Sequence, residues 1–255
     1  MREKKFVLSL AGLDPSAGAG LLSDIKTFEA NNTYGLGVCT AITFQNESKI
    51  DGVSWVPFTD IQKQLTPIFK TYTINFVKIG LIENIKTFSK LIDVLMKLNP
   101  AIRIVWDPII KSSSGYEFHK RTNKQEIKDV LKNIFLFTPN FEEMSTFFPN
   151  EKLEDICKQL GTTTAVLLKG GHGPGSTAKD LLFYNGSEMA YESIKQNTEK
   201  HGTGCVLSSA ITASLAKGFD LEEACQKGKI FINSFLSSTE TLLGYHHLEN
   251  EETHL

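Results

Sequence analysis

The run His201-Gly-Thr-Gly-Cys205 places a thiol at the mouth of a glycine-rich turn, directly before the apolar, alanine-rich stretch VLSSAITASLA. A turn of this kind that enters a helix leaves its first backbone N–H groups unpaired, beside the positive end of the helix dipole. Such amides bind phosphate, or stabilise charge that develops on a phosphoryl group in transfer. Gly202, Thr203 and Gly204 are therefore a candidate anion hole. The same field favours thiolate, which would let Cys205 take a proton from a substrate hydroxyl. A tight turn closed by a small buried thiol is the competing reading, and the motif by itself does not separate the two.

Four residues on other segments suit related chemistry. Asp107 follows an apolar run, Ile102 to Trp106. A carboxylate there could orient water on Mg²⁺, an ion that keeps several waters and few protein ligands; it could equally cap a turn before Pro108. Asn140 and Glu143, spaced N-x-x-E after Thr138-Pro139, suit a hydrated metal and also suit a helix N-cap with its first-turn glutamate. Lys169 precedes two glycines in LLKGGH, where a cation could meet phosphate or be solvated. AGLDPSAGAG (11–20) is a second glycine-rich strand-to-helix turn, but it lacks the lysine of a nucleotide P-loop. GPGSTA (173–178) has the letters of a dinucleotide fingerprint, yet it runs into the strand-like DLLFY instead of a helix, so it is set aside. The cysteines at 39, 157, 205 and 225 form no CxxC pair, which argues against a zinc site or a disulfide framework, and Cys39 and Cys157 read as core thiols. His119, His246, His247 and His254 read as surface residues.

These residues need strands that end beside them. FVLSLAG (6–12), GVCTAITF (37–44), NFVKIG (75–80), IRIVW, IFLF and TAVLL have the apolar runs of buried strands. Helical spacing marks 20–30, 59–72 and 84–98, the last with Ile85, Phe88, Leu91, Ile92, Leu95 and Met96 inward. Pro67 is expected to end or kink the second of these. Further helices are expected near 122–133, over 151–160, and from 204 and 220, with a hairpin of DLLFY and EMAYES about Asn185-Gly186. The alternation predicts one α/β domain over 1–255, its mostly parallel sheet covered by helices on both faces. Ligands of such folds gather at the carboxyl ends of the strands, where AGLDP, QNES, KIG, WDP, TPN and KGGH all fall.

A 41% apolar and 22% charged composition is that of an ordinary globular chain, and a net charge of −2 provides no general pull toward nucleic acid or membrane. The apolar run after MREKK is too short for a signal-peptide core, and no stretch reaches membrane-spanning length, so a cytoplasmic location is expected.

Taken together, AGLDPSAGAGLLSDIKTFEA with TYGLGVCTAITFQN, then VKIGLI, VWDP, FTPNFEE, LLKGGH and HGTGCVLSSAI, ordered across residues 6–216, resemble the hydroxymethylpyrimidine/phosphomethylpyrimidine kinases of thiamine biosynthesis, within the ribokinase-like superfamily. The resemblance implies a ribokinase-like α/β fold and a homodimer. It implies ATP with Mg²⁺, and phosphoryl transfer to the hydroxymethyl group of the pyrimidine and then to its phosphate. It implies a pyrimidine site of Gly12, Asp24 and Gln45, with Asp107, Asn140 and Glu143 serving Mg²⁺-ATP and Lys169 its phosphates. Asp107 and Glu143 would reach the metal through water. The GTGC turn would be the anion hole, with Cys205 where most ribokinase-like enzymes carry an aspartate base. The chain departs from the family pattern at Phe44, where a small residue is usual, and at Ser113, where a lysine is usual, Lys111 standing two positions earlier. It departs again at Glu199-Lys200, which replace an Asn-Thr pair that here lies upstream at 197–198. Two other readings stand beside this one: a pyridoxal kinase on the same fold, and a catalytically silent sensor of pyrimidine or vitamin.

Overall fold

The computed structural model describes residues 5–112, 115–118, 123–171, 176–196 and 198–247. Ser113, His119, residues 173–175 of the GPGSTA run, Asn197 and His254 lie outside them.

The chain alternates strand and helix from its start. β1 (Phe6–Leu13) leads into α1 (Gly20–Ala30), and β2 (Tyr34–Gln45) turns back through β3 (Ile50–Trp55) into α2 (Phe58–Thr71). β4 (Phe76–Ile79), α3 (Ile85–Leu98), β5 (Arg103–Trp106), α4 (Lys124–Leu131) and β6 (Leu136–Phe137) continue the pattern. α5 (Phe141–Phe147), α6 (Leu153–Leu160) and β7 (Ala165–Leu168) precede the hairpin of β8 (Thr177–Tyr184) and β9 (Ser187–Ile194), and α7 (Thr203–Ala216) and α8 (Leu221–Ser237) follow. The described strands form one sheet in the order β3-β2-β1-β4-β5-β6-β7-β8-β9. β2, β1, β4, β5, β6 and β7 run parallel to one another in this order, whereas β3, β8 and β9 join antiparallel at the two edges.

Alternating side chains on each strand divide the core into two faces. Leu8, Leu10, Ile104, Trp106, Phe137, Val166 and Leu168 meet α2 through α6 on one side. Val105, Leu136, Ala165 and Leu167 meet α7 and α8 on the other, where Val7 packs with Phe28 of α1. α7 has no polar stripe: every side chain from Cys205 to Leu215 is buried, because the helix lies against both the sheet and its neighbours α1 and α8. Its serines and alanines let those neighbours come close.

Three details differ from the sequence-based expectation. β3 was not foreseen, since IDGVSW is a half-exposed edge strand without a run of buried apolar residues. α2 passes through Pro67, which sits on the exposed face, where water can take the carbonyl that the missing N–H leaves free. Met96 is 38% exposed and does not join the buried stripe of α3.

Candidate active site

The sheet order reverses at β1, whose parallel neighbours β2 and β4 come next in the chain on opposite sides, and such a switch point opens a crevice at the carboxyl ends of the strands. Asp107 leaves β5 at this edge. Its backbone is held by its own N–H to Ile79 O (2.9 Å), and the preceding Trp106 is packed against Phe88 and Phe137 at ring-centroid distances of 4.6 and 4.9 Å. Lys169 leaves β7 with its N–H on Pro139 O (2.8 Å), and the next amide, of Gly170, donates to Asp180 Oδ1 (2.9 Å). Asp180 is in turn paired with Lys229 of α8 at 2.8 Å, so a buried ion pair holds the turn that aims Lys169.

Lys169 Nζ meets Asp107 Oδ1 at 2.6 Å and lies 4.0 Å from Glu143 Oε2. Asn140 and Glu143 form a complete capping box on α5. Asn140 Oδ1 accepts the Glu143 amide at 2.8 Å, and Glu143 Oε2 accepts the Asn140 amide at 2.7 Å. The two readings of N-x-x-E thus coincide, because capping α5 is what delivers the Glu143 carboxyl to Lys169. Burial pushes that carboxyl up to about 7 against the pull of Lys169, with the nearby Asp107 charge adding to the rise. Burial also works against ionised Asp107, but Lys169 and Lys78 outweigh it and keep this carboxyl below its usual range. Lys169 is held above the ordinary lysine value, burial being overcome by Asp107 and Glu143.

α7 presents its N-terminus to this group. Gly202 caps the helix at φ 78°, a left-handed conformation that glycine adopts without strain. The amides of residues 202–205 have no protein partner among the described residues, and the first intrahelical bond is Val206 N–H to Gly202 O (3.0 Å). A Cβ on Gly204 would stand 3.2 Å from Lys169 Nζ and 3.9 Å from both carboxylate oxygens of Asp107. The first turn of α7 therefore lies directly against the Lys169–Asp107 pair, which it can approach because position 204 carries no side chain. Thr203 turns its hydroxyl back to Lys200 O at 2.7 Å.

Cys205 lies at the third position of the helix and is 6% exposed. Its surroundings work against the expected thiolate. Burial pushes the thiol up to about 11, and the carboxylates of Asp107 and Asp24 reinforce the rise against the help of Lys78 and the Gly20 amide. The helix field is present, but the buried thiol also feels the charges of Asp107 and Asp24.

Asp24, expected in the pyrimidine site, is fully buried and does not line the crevice. Its oxygens accept from Lys78 Nζ (2.8 and 2.9 Å), Ser9 Oγ (2.6 Å) and Ser209 Oγ (2.7 Å), which uses its acceptor capacity. Burial raises this carboxyl above its ordinary value despite the pull of Lys78, Ser9 and Ser209, while Lys78 is itself held above the ordinary lysine value, burial being overcome by Asp24 and the other negative groups around it. Lys78 also comes within 4.0 Å of Asp107, and Ser208 Oγ reaches Asp107 Oδ2 at 3.1 Å. A continuous row of alternating charge, Asp24–Lys78–Asp107–Lys169–Glu143, thus runs beneath the strand ends, with two adjacent serines fixing α7 to it. Lys78, Ser208 and Ser209 were not singled out from the sequence; the signal was a lysine inside the apolar strand NFVKIG, where an unpaired charge is not tolerated. Gly12 is buried, and a Cβ there would press on Leu81 at 3.1 Å, so it serves packing at the switch point. Gln45 ends β2 half-buried, at a bulge, with no side-chain partner among the described residues, and Phe44 beside it is 55% exposed. His246 is not a surface residue: Nδ1 lies 2.9 Å from Thr27 Oγ1, its ring meets Phe235, and burial pulls it down to about 4.

No helix among the described residues is long and apolar enough to cross a membrane, and no cluster of three metal-ligating side chains occurs among them. The fold and the crevice define a ribokinase-like small-molecule kinase. The chain belongs to the phosphomethylpyrimidine kinase family, whose model matches residues 14–249. It is 36% identical over 245 residues to a hydroxymethylpyrimidine/phosphomethylpyrimidine kinase of Aquifex aeolicus, covering 92% of this chain and 95% of that one. It superposes on the phosphomethylpyrimidine kinase of Clostridium difficile with a TM-score of 0.75 at 33% identity, covering 90% of this chain and 98% of that one. It superposes on the pyridoxal kinase of Staphylococcus aureus in complex with AMP-PCP with a TM-score of 0.85 at 25% identity, covering 100% and 97%.

Proposed function

We propose that this protein is a single-domain, cytoplasmic kinase that transfers the γ-phosphoryl group of ATP to 4-amino-5-hydroxymethyl-2-methylpyrimidine and then to its monophosphate, in thiamine biosynthesis. The observation that carries the reading is the approach of the Lys169 ammonium to the first turn of α7, whose amides at residues 202–205 have no protein partner among the described residues, so that a cation and backbone donors stand together where an anion could bind. Transfer through a loose transition state asks for positioning and for stabilisation of the equatorial oxygens. The amides and Lys169 supply that as donors already fixed by the fold before charge develops.

Glu143 and Asp107 fit a hydrated Mg²⁺ better than a bare one, since one oxygen of Glu143 caps α5 and Asp107 is bonded to Lys169 and Ser208. They would hold it through water, and the ion when bound neutralises phosphate charge. Cys205, kept as a thiol, accepts a hydrogen bond from the acceptor hydroxyl and orients it; the hydroxyl proton passes late to an oxygen of the transferred phosphoryl group, as a loose transition state permits.

On the acceptor side, Gln45 provides both an amide donor and a carbonyl acceptor. A 4-aminopyrimidine edge offers the complementary pair, whereas pyridoxal offers a phenolic oxygen and a methyl group. Ile42 and Phe44, exposed on one face of β2 toward its end, form an apolar surface that supports a homodimer.

The test is an ADP-release assay with the pyrimidine, its monophosphate and pyridoxal, for parent and Gln45→Leu protein. The parent is expected to prefer the two pyrimidines. Gln45→Leu is expected to lower their kcat/KM by about 5–150-fold, the worth of about 1–3 kcal/mol of lost hydrogen bonding, and to spare pyridoxal. A parent that prefers pyridoxal overturns the substrate assignment in favour of the pyridoxal kinase reading, which the S. aureus structure keeps in view.

A further inference from the structure

The site leaves unexplained the Glu199-Lys200 pair that departs from the family pattern. Lys200 is 6% exposed, an unusual place for a lysine without a carboxylate. No salt bridge compensates it among the described residues. Instead its ammonium donates to the backbone carbonyls of Thr239 and Thr241, the latter at 2.6 Å, just past the carboxyl end of α8. Helix ends of this polarity carry free carbonyls and a negative partial charge, which suit a cation.

The neighbours of Lys200 make parallel ties. Thr198 Oγ1 donates to Leu236 O in the last turn of α8 (2.6 Å), and the His201 amide donates to Leu242 O (2.9 Å). The segment they grip is itself braced, Thr239 Oγ1 reaching Leu243 O at 2.7 Å and the Tyr245 amide reaching Ser238 Oγ at 2.9 Å. On its other side, Lys200 O accepts the hydroxyl of Thr203, the first residue of α7. One residue thus joins the segment that follows α8 to the first residue of α7.

We infer that Lys200 is a positioning residue for phosphoryl transfer: its tie to residues 239–241 holds the turn 201–205 so that the amides face the transferring group. This rests on the reading of that turn as the phosphoryl site. The need is physical. A turn with two glycines has little stiffness of its own, yet donors to a transition state must be fixed before charge develops. Two side chains of the turn restrain it: His201 Nε2 lies 2.9 Å from Asp14 Oδ2, and the Thr203 hydroxyl bonds the carbonyl of Lys200.

The test compares Lys200→Met, Lys200→Arg, Thr198→Val and Gly204→Val in the full chain by steady-state kinetics, thermal melting and amide exchange. Lys200→Met is expected to lower kcat about tenfold, short of the 10²-fold that a 1 Å misplacement costs. KM for the pyrimidine should stay at the parent value, and the amides of 202–205 should exchange faster while those of β4 and β5 do not. Lys200→Arg, which keeps donors for both carbonyls, is expected to recover most of the loss. A Lys200→Met protein that melts earlier but keeps parent kcat and parent exchange at 202–205 overturns the inference. Should Lys200→Met fail to fold, Thr198→Val removes one tie, and faster exchange at 202–205 is expected; unchanged exchange overturns the inference. Gly204→Val separates the two levels. If it turns over like the parent, the phosphoryl-site reading falls and this inference with it. If it is inactive while Lys200→Met is parent-like, only the inference falls.

Discussion

Two glycine-rich turns join a strand or loop to a helix in this chain, and they lie against each other with opposite uses. The turn before α1 carries its own anion: Asp14 accepts the amides of Ser16 and Ala19, each at 2.9 Å, and the Ser16 hydroxyl at 2.8 Å. The turn before α7 contains no acid, and its amides stay open toward Lys169. Both have the backbone of an anion site. What separates them is whether the sequence already supplies the negative charge. The filled turn supports the open one directly, since Asp14 Oδ2 meets His201 Nε2 at 2.9 Å and a Cβ on Gly202 would collide with Gly18 O at 2.1 Å. A glycine-rich turn is therefore a phosphate site only after its own side chains have been counted against its amides.

The comparison is most exposed to failure at Lys169. If the open turn works by pairing its amides with a facing cation, Lys169→Met should cost about 10³-fold in kcat, the upper end for a single charge-stabilising donor. The pyrimidine KM should change little. Single-turnover measurements that show phosphoryl transfer at the parent rate would mean that the first turn of α7 beside Lys169 is not where the group is transferred.

Cys205 sharpens the comparison at the open turn. A thiol pushed up to about 11 exists almost wholly protonated at neutral pH, so it can orient a hydroxyl but seldom act as a resident base. Cys205→Ala is expected to lower kcat by no more than about 10²-fold, the lower edge of what a proton-transfer group contributes. Between pH 7 and 9 the parent kcat should show no rise due to Cys205, while alkylation of this thiol by iodoacetamide accelerates about tenfold per pH unit, because only thiolate reacts. A parent kcat that climbs in step with alkylation restores the thiolate base.

Much of this arrangement was legible in the residues, and the illegible part has a common cause. Apolar runs located the parallel strands, and the chemistry-bearing letters after β5, β6 and β7 converge as Asp107, Asn140, Glu143 and Lys169. Runs and spacings report what a side chain is, and say little about which way it points once packed. Asp24 reads as an early residue of α1 with a free carboxylate, but Lys78, 54 positions later, takes it into the core. Cys205 reads as a thiol in a positive field, but the long-range neighbours that bury it come from other segments. The Asp180–Lys229 pair behind Lys169 joins a hairpin strand to the last helix, a contact with no local pattern at all. The edge strand β3 escaped because half-exposed strands lack the apolar run that marks the others.

The smallest effect on turnover is expected at the filled turn, where Asp14→Asn tests whether the built-in anion is only structural. Asparagine keeps one acceptor oxygen but replaces the other with an amide that cannot accept from Ala19 or His201. Loss of those bonds should cost about 1–3 kcal/mol of stability, read as a shift of the urea midpoint. In the native protein, burial opposes ionised Asp14, but His201, Ser16 and Ala19 outweigh it and hold the carboxyl below its usual value of 3.8. A carboxyl depressed by folding contributes stability that is present above the unfolded value and is lost as pH falls through the folded one. The stability gap between parent and Asp14→Asn should therefore be full at pH 6 and shrink once pH drops below about 4. Turnover at pH 7 should stay within about threefold of the parent, since the open turn keeps its amides, Lys169 and the tie through Lys200. A variant that melts like the parent but loses kcat by 10²-fold or more would show that the first turn also takes part in phosphoryl transfer, and the distinction between filled and open turns would not hold.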